Sequence, residues 1–154
     1  MRHIPITRNN TISLDTWTTL NFTDASGKEF YLSRDKKNFD EAIQFCIDEG
    51  GILFEGRNTL IGGAVDDYTK SKAIESYWLG IHDKVTEGTF VYASDQMPIG
   101  SQNNWNDGQP NDYTGQDCVV VKQEWNGKWD DRQCSDARAF VCVRSGKVLI
   151  QITI

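Results

Sequence analysis

Between Trp105 and Cys118 the chain reads WNDGQPNDYTGQDC, and Gln109, Asn111, Asp112, Gln116 and Asp117 all end in a carboxamide or a carboxylate. Oxygens of this kind bind hard cations such as calcium. Gln109 and Gln116 bring no formal charge, however, where a calcium loop prefers Glu. An amide oxygen ligates the metal while its NH2 group, a donor, turns elsewhere. What those two amides serve is the question the stretch raises.

The elements that must hold such a loop are modest. A chain of 154 residues, 38% hydrophobic and 11% aromatic, suits one domain or one domain with appendages. No run approaches the ~18 to 20 apolar residues of a membrane span. The net charge of −6 argues against nucleic acid, and it suits cation binding as well as simple solubility. Cys46, Cys118, Cys134 and Cys142 form no CxxC pair, and only His3 and His82 could join them, so structural zinc is not expected. An even count without metal spacing favours two disulfides, with three pairings open, over inert cytosolic thiols. MRHIPITRNN has no hydrophobic leader and is read as the start of a mature form. Asn9 and Asn21 stand in formal glycosylation tripeptides.

Residues 1 to 32 alternate loosely and predict short strands with turns at RNN and DASGK. NFDEAIQFCIDEGG predicts a helix opened by Asn38 with Glu41 and ended by Gly50-Gly51. Its apolar stripe is Phe39, Ala42, Ile43, Cys46 and Ile47. A weaker helix is expected over roughly 66–76, and strands over Tyr77 to Ile81 and Thr89 to Ala93. From Ser94 to Gln116 no periodicity survives, and a loop of that length is more often functional than idle. CVVV, GKWD and AFVCV predict a short antiparallel set. KVLIQITI alternates as a last strand, with Val148, Ile150, Ile152 and Ile154 on one face.

In order, FDEAIQFC, WLGI, DKVTEGTFVY, NW, QPND, GQDCVVV, KWDD, a lone C and AFVC resemble the C-type lectin-like domain, and most closely the mannose-binding collectins. The resemblance covers about residues 29–143 and leaves 1–28 and 144–154 as β-rich extensions. It implies an α+β fold of two helices and two small antiparallel sheets with a long calcium-binding loop region. It also implies the disulfides Cys46–Cys142 and Cys118–Cys134. Carried over, the sugar-site calcium falls to Gln109, Asn111, Gln116, Asp130 and Asp131, with Pro110 in a cis bond. A structural calcium falls to Asp83, Glu87, Asp112 and Asp117, and one to three ions are expected.

In that family the triplet Glu-Pro-Asn reads mannose and Gln-Pro-Asp reads galactose; this chain has Gln-Pro-Asn. Each ligand gives one oxygen to the metal and keeps one valence for a sugar hydroxyl. Carboxylates accept there and amides donate. Gln109, Asn111 and Gln116 then make three donors against one acceptor, Asp130, and Asp130 with Asp131 hold the only charges. Weaker calcium affinity is expected from so few charges. Asp117 sliding into the place of Gln116 would restore the balance. Alternatively Tyr113, standing where galactose-type members carry a stacking Trp, supplies affinity through its ring. The sugar-contacting set is Gln109, Asn111, Tyr113 and Asp130, leaning to galactose.

The implied function is therefore a secreted, calcium-dependent lectin whose partners are glycans ending in simple sugars. A rival is a lectin-like domain that has lost sugar binding and recognises a protein or a mineral or ice surface. An enzyme such as a glycosidase is not expected, since no Ser/His or Cys/His set accompanies the acids. Weak sugar sites gain by multivalency. The terminal strands are the natural assembly elements, pairing with each other or, in a homo-oligomer, with a second copy.

Overall fold

The structure is a computed structural model that describes residues 17–20, 27–101 and 103–146. Seven strands and two helices follow in the order β1 (Glu29–Lys37), α1 (Phe39–Asp48), β2 (Ile52–Leu53), α2 (Thr59–Ser71), β3 (Ser76–His82), β4 (Val91–Tyr92), β5 (Cys118–Lys122), β6 (Lys128–Arg132) and β7 (Arg138–Arg144). The main path of the sheet runs β1-β7-β3-β5-β6, with β2 paired to β7 and β4 to β3. The two small sheets expected from the family resemblance are thereby continuous. The seam is the parallel pair of β3 and β7, where Tyr77 meets Ala139 and Trp78 meets Phe140.

α1 begins where the sequence places it. Asn38 accepts from the Glu41 backbone N–H at 2.9 Å while the Glu41 carboxylate accepts from the Asn38 N–H at 3.0 Å, a reciprocal capping box. Phe39, Ala42 and Cys46 are buried, but Ile47 is 53% exposed. At 3.6 residues per turn Ile47 lies roughly 80° round the helix from Phe39, at the edge of the stripe rather than in it.

α2 differs from the expectation of a helix over roughly 66–76. It starts at Thr59, behind Asn58, whose side chain accepts from Leu60 N and Ile61 N at 2.9 and 3.2 Å, and it stops at Ser71. Gly62 and Gly63 hide this start, because two glycines erase local helix preference. Burial of Ile61, Val65 and Thr69 against the sheet supplies what propensity lacks. The strand expected over Thr89 to Ala93 shrinks to Val91–Tyr92.

Alternation along β3 divides the core between two layers. Tyr77, Leu79 and Ile81 pack with Val65, Val119 and Val121 under α2. Trp78 faces the other way, with Phe39, Cys46, Val120 and Phe140 under α1. Cys46–Cys142 ties α1 to β7 across 96 residues, and Cys118–Cys134 closes 16 residues around β6. Loops of these lengths lose closure entropy worth about 4.7 and 3 kcal/mol in the unfolded chain.

Ahead of β1, Thr18 exchanges backbone hydrogen bonds with Phe30 at 2.8 and 2.7 Å, and the Arg144 guanidinium lies 3.9 Å from the Trp17 ring centre. Of the short strands predicted over residues 1–32, the part before residue 17 and residues 21–26 lie outside the described residues, as do the last strand over residues 147–154 and both glycosylation tripeptides.

Candidate functional site

The antiparallel register of β3 and β5 sets His82 opposite Cys118, so Asp83 and Asp117, one step beyond, meet at the same end of the sheet. The Asp83 N–H donates to the Asp117 carbonyl at 3.0 Å. One turn on, the Gly88 N–H donates to Asp83 Oδ2 at 2.9 Å and brings Glu87 over the pair. Ligand oxygens of Asp83, Glu87 and Asp117 lie within 4.8 Å of one another.

Asp112 reaches the same place from the long loop, with a left-handed backbone (φ 49°) and a hydrogen bond to Glu87. That bond, then desolvation and the charges of Asp83, Asp112 and Asp117, push the Glu87 carboxyl up to about 8. Desolvation, with Asp117 adding to it against the Gly88 N–H, raises Asp83 to about 6. Crowded carboxylates repel, and a proton or a cation relieves them. Asp83 Oδ1 is buried with no hydrogen-bond partner among the described residues. A divalent ion suits both the charge and the orphan oxygen.

The second group is built on the cis Gln109–Pro110 peptide and on β6. Asp131, fully buried, accepts from the backbone N–H groups of Asn111 at 3.1 Å and Asp112 at 2.7 Å, and so positions the loop that carries both. Gln109 Oε1 is buried with no hydrogen-bond partner among the described residues. Asn111 Oδ1 accepts from the Tyr113 N–H at 3.0 Å, and the Tyr113 side chain stands out in solvent. Gln116 is half-buried beside Asp117.

Asp130 points to the opposite face of β6 from Asp131, as strand alternation requires. Its Oδ2 accepts from Arg132 Nε at 2.6 Å, with Lys122 Nζ at 3.9 Å. Burial raises its carboxyl, and the two cations offset only part of that. These cations were missing from the sequence reading. Spacing of two along KWDDR puts Arg132 on the same strand face as Asp130, a signal that was there to be used.

The long loop is ordered by aromatic packing rather than by strands. Trp105 meets Phe90 and Trp129 edge-on at 4.8 and 5.6 Å between ring centres. The Asn106 N–H donates to Trp129 O and the Gln109 N–H to Asn106 O, which carries the loop from β6 to the cis bond. Of the nine expected ligand residues, Asp117 stands with Asp83 and Glu87 in an acidic group that Asp112 joins through Glu87. Asp131 holds the backbone of Asn111 and Asp112 next to Gln109 and the cis bond, Gln116 stands beside Asp117, and Asp130 turns away to Arg132 and Lys122.

The family model described as Lectin C-type domain matches residues 35–144. The chain is 40% identical over 119 residues to C-type lectin domain family 3 member A of Homo sapiens, spanning 75% of this chain and 59% of that protein. It is 35% identical over 116 residues to Collectin-10 of Gallus gallus, spanning 75% of this chain but 41% of that protein. The mouse scavenger receptor C-type lectin carbohydrate-recognition domain superposes with a TM-score of 0.73 at 28% identity, over 87% of this chain and 97% of that one. The lectin CEL-I from Cucumaria echinata, at 18% identity and a TM-score of 0.71, shares the fold over 85% of this chain and 95% of its own.

Proposed function

The chain belongs to the C-type lectin domain family, and on that premise we propose that it is a secreted, calcium-dependent lectin favouring galactose-type sugars over mannose and fucose. The observation that carries the reading is the buried, partnerless Gln109 Oε1 beside the cis Gln109–Pro110 bond. A buried acceptor left alone costs roughly 1 to 3 kcal/mol, which a cation at that oxygen offsets. In this reading Gln109, Asn111, Gln116, Asp130 and Asp131 hold the sugar-site ion. Asp83, Glu87, Asp112 and Asp117 hold a second, structural one.

Calcium, when bound, supplies a Lewis-acidic seat for two neighbouring sugar hydroxyls. The protein then does the reading. The amide NH2 groups of Gln109, Asn111 and Gln116 donate to the sugar and Asp130 accepts from it. The Tyr113 ring, 72% exposed, offers a face to the apolar side of galactose. The mouse neighbour is by its name a carbohydrate-recognition domain, which supports the same direction. Segments 1–28 and 144–154 are proposed as extensions that assemble copies and so raise avidity.

One observation favours a second reading, a domain that binds protein without sugar. Asp130 and Asn111 Oδ1 are already engaged, by Arg132 and by the Tyr113 N–H. Calorimetry with galactose and with mannose, each in calcium and in EDTA, separates the two. Calcium-dependent heat with galactose supports the Gln109 and Tyr113 reading, and heat with mannose alone gives the site to Asn111. Silence from both sugars while calcium itself binds moves the function to protein recognition.

A further inference from the structure

A cavity of about 410 Å³ opens between α2 and the face of the sheet that α2 covers, bordered by Trp129 and by Asn103 and Asn104 of the long loop. Its size falls in the range of small-molecule sites. Phe54, Tyr77, Leu79, Val121 and Trp129 line its floor. One acidic side chain of α2, Asp66, lines it too.

The wall on the α2 side is unusual. Gly62 and Gly63 lie within the helix, where each costs about 1 kcal/mol relative to alanine. A Cβ at either position would meet nothing within 4 Å, so no packing demands them. They border the cavity, and larger side chains there would take up open space. Gly127, in contrast, is favoured by its backbone and packed against Asp66. A Cβ there would lie 2.5 Å from Asp66 Oδ2 and displace it, and the φ of +79° lies in the left-handed region that favours glycine.

Asp66 Oδ1 is buried and finds no hydrogen-bond partner among the described residues. Burial raises the Asp66 carboxyl, with Gln123 and Lys70 pulling the other way. The guanidinium at the cavity mouth is not free to serve it. Arg57 is bound to Glu55 at 2.9 Å and Asp95 at 2.8 Å and lies 3.9 Å from the Tyr92 ring centre.

We propose that this cavity is a second binding site, for a small organic cation whose apolar body fills the aromatic floor and whose ammonium or amidinium donates to Asp66. Asn103 and Asn104 of the long loop border the site, but none of the proposed metal or sugar ligands lines it, so it does not depend on the sugar reading.

Benzylamine is the probe, with benzyl alcohol as its uncharged counterpart, each titrated into the 15N-labelled full chain at neutral pH. The amine should shift the Gly62, Gly63 and Gly127 amides saturably. It should bind about tenfold tighter than the alcohol, the worth of a charge-assisted hydrogen bond. Asp66→Asn should level the two probes. Gly62→Leu should abolish the shifts while its cooperative unfolding transition is kept. Absence of saturable shifts at those glycines, or unchanged binding in Gly62→Leu, overturns the site. Equal affinity for amine and alcohol in the unmodified chain overturns its assignment to cations.

Discussion

Asp131 and Asp112 are joined by a 2.7 Å hydrogen bond from the Asp112 backbone to the Asp131 carboxylate, so a fully buried strand residue fixes the loop that presents both proposed ligand groups. With the Asn111 N–H on the other oxygen at 3.1 Å, the carboxylate spans two successive amides. Asp112 in turn meets Glu87. One side chain thereby links the amide-rich group to the acidic one.

Asp131→Ala should lower stability by about 3 kcal/mol, the loss of two charge-assisted hydrogen bonds. Urea unfolding in EDTA measures this with no contribution from bound metal. A loss smaller than ~1 kcal/mol would show that the loop is held chiefly by Trp105 and its partners.

The acidic group predicts an inverted pH response in the metal-free protein. Asp83 is raised from 3.8 to about 6 and Glu87 from 4.5 to about 8. A carboxyl whose folded value lies above its unfolded value favours the folded state when protonated. That contribution is complete below the unfolded values and is lost as pH rises through the folded ones. In EDTA, Tm should fall between about pH 4 and pH 8. In calcium the trend should reverse over the same window, because binding displaces those protons. Parallel pH series of thermal melts check it, and coincident curves with and without calcium would remove the metal from this group.

Gln109→Glu adds one charge and exchanges a donor for an acceptor at the oxygen that lacks a partner. Calcium affinity should rise by roughly tenfold. The resulting Glu-Pro-Asn triplet should move sugar preference from galactose towards mannose. Titration calorimetry reads both, and a gain in calcium affinity without any sugar response would favour the protein-binding reading.

Arg132→Ala releases Asp130 from its 2.6 Å ion pair. Stability in EDTA should fall by roughly 2 kcal/mol, below the figure for a buried pair because Arg132 is partly exposed and Lys122 remains. Calcium-dependent galactose binding should strengthen, since Asp130 is the sole acceptor among the proposed sugar contacts. Unchanged binding in this variant would show that Asp130 takes no part in recognition.

Much of this was legible in the residues. Asn38 and Glu41 predict their capping box because its partners lie within one helical turn. The long aperiodic stretch ending in GQDC predicts a loop because neither strand nor helix periodicity can be read in it. The order of nine short motifs carries the family resemblance, and that resemblance, not the cysteine spacing, implies the two disulfides that the structure contains. The amide character of Gln109 and Gln116 is likewise a property of residue type alone.

Other features belong to the tertiary structure. α2 starts at Thr59 because sheet burial of Ile61 and Val65 outweighs two helix-weakening glycines, and no local window contains that sheet. The sheet is continuous because β3 lies parallel to β7, a pairing between segments some sixty residues apart in sequence. Neither the orphaned Gln109 Oε1 nor the orphaned Asp66 Oδ1 can be seen from residue types, since a partner missing among the described residues is a fact about three-dimensional surroundings. Sequence determined which groups this protein brings to its loops, because side-chain chemistry and short-range caps are local. The fold alone decided which of those groups meet and which are left for a ligand, because burial and hydrogen-bond satisfaction depend on contacts between distant segments.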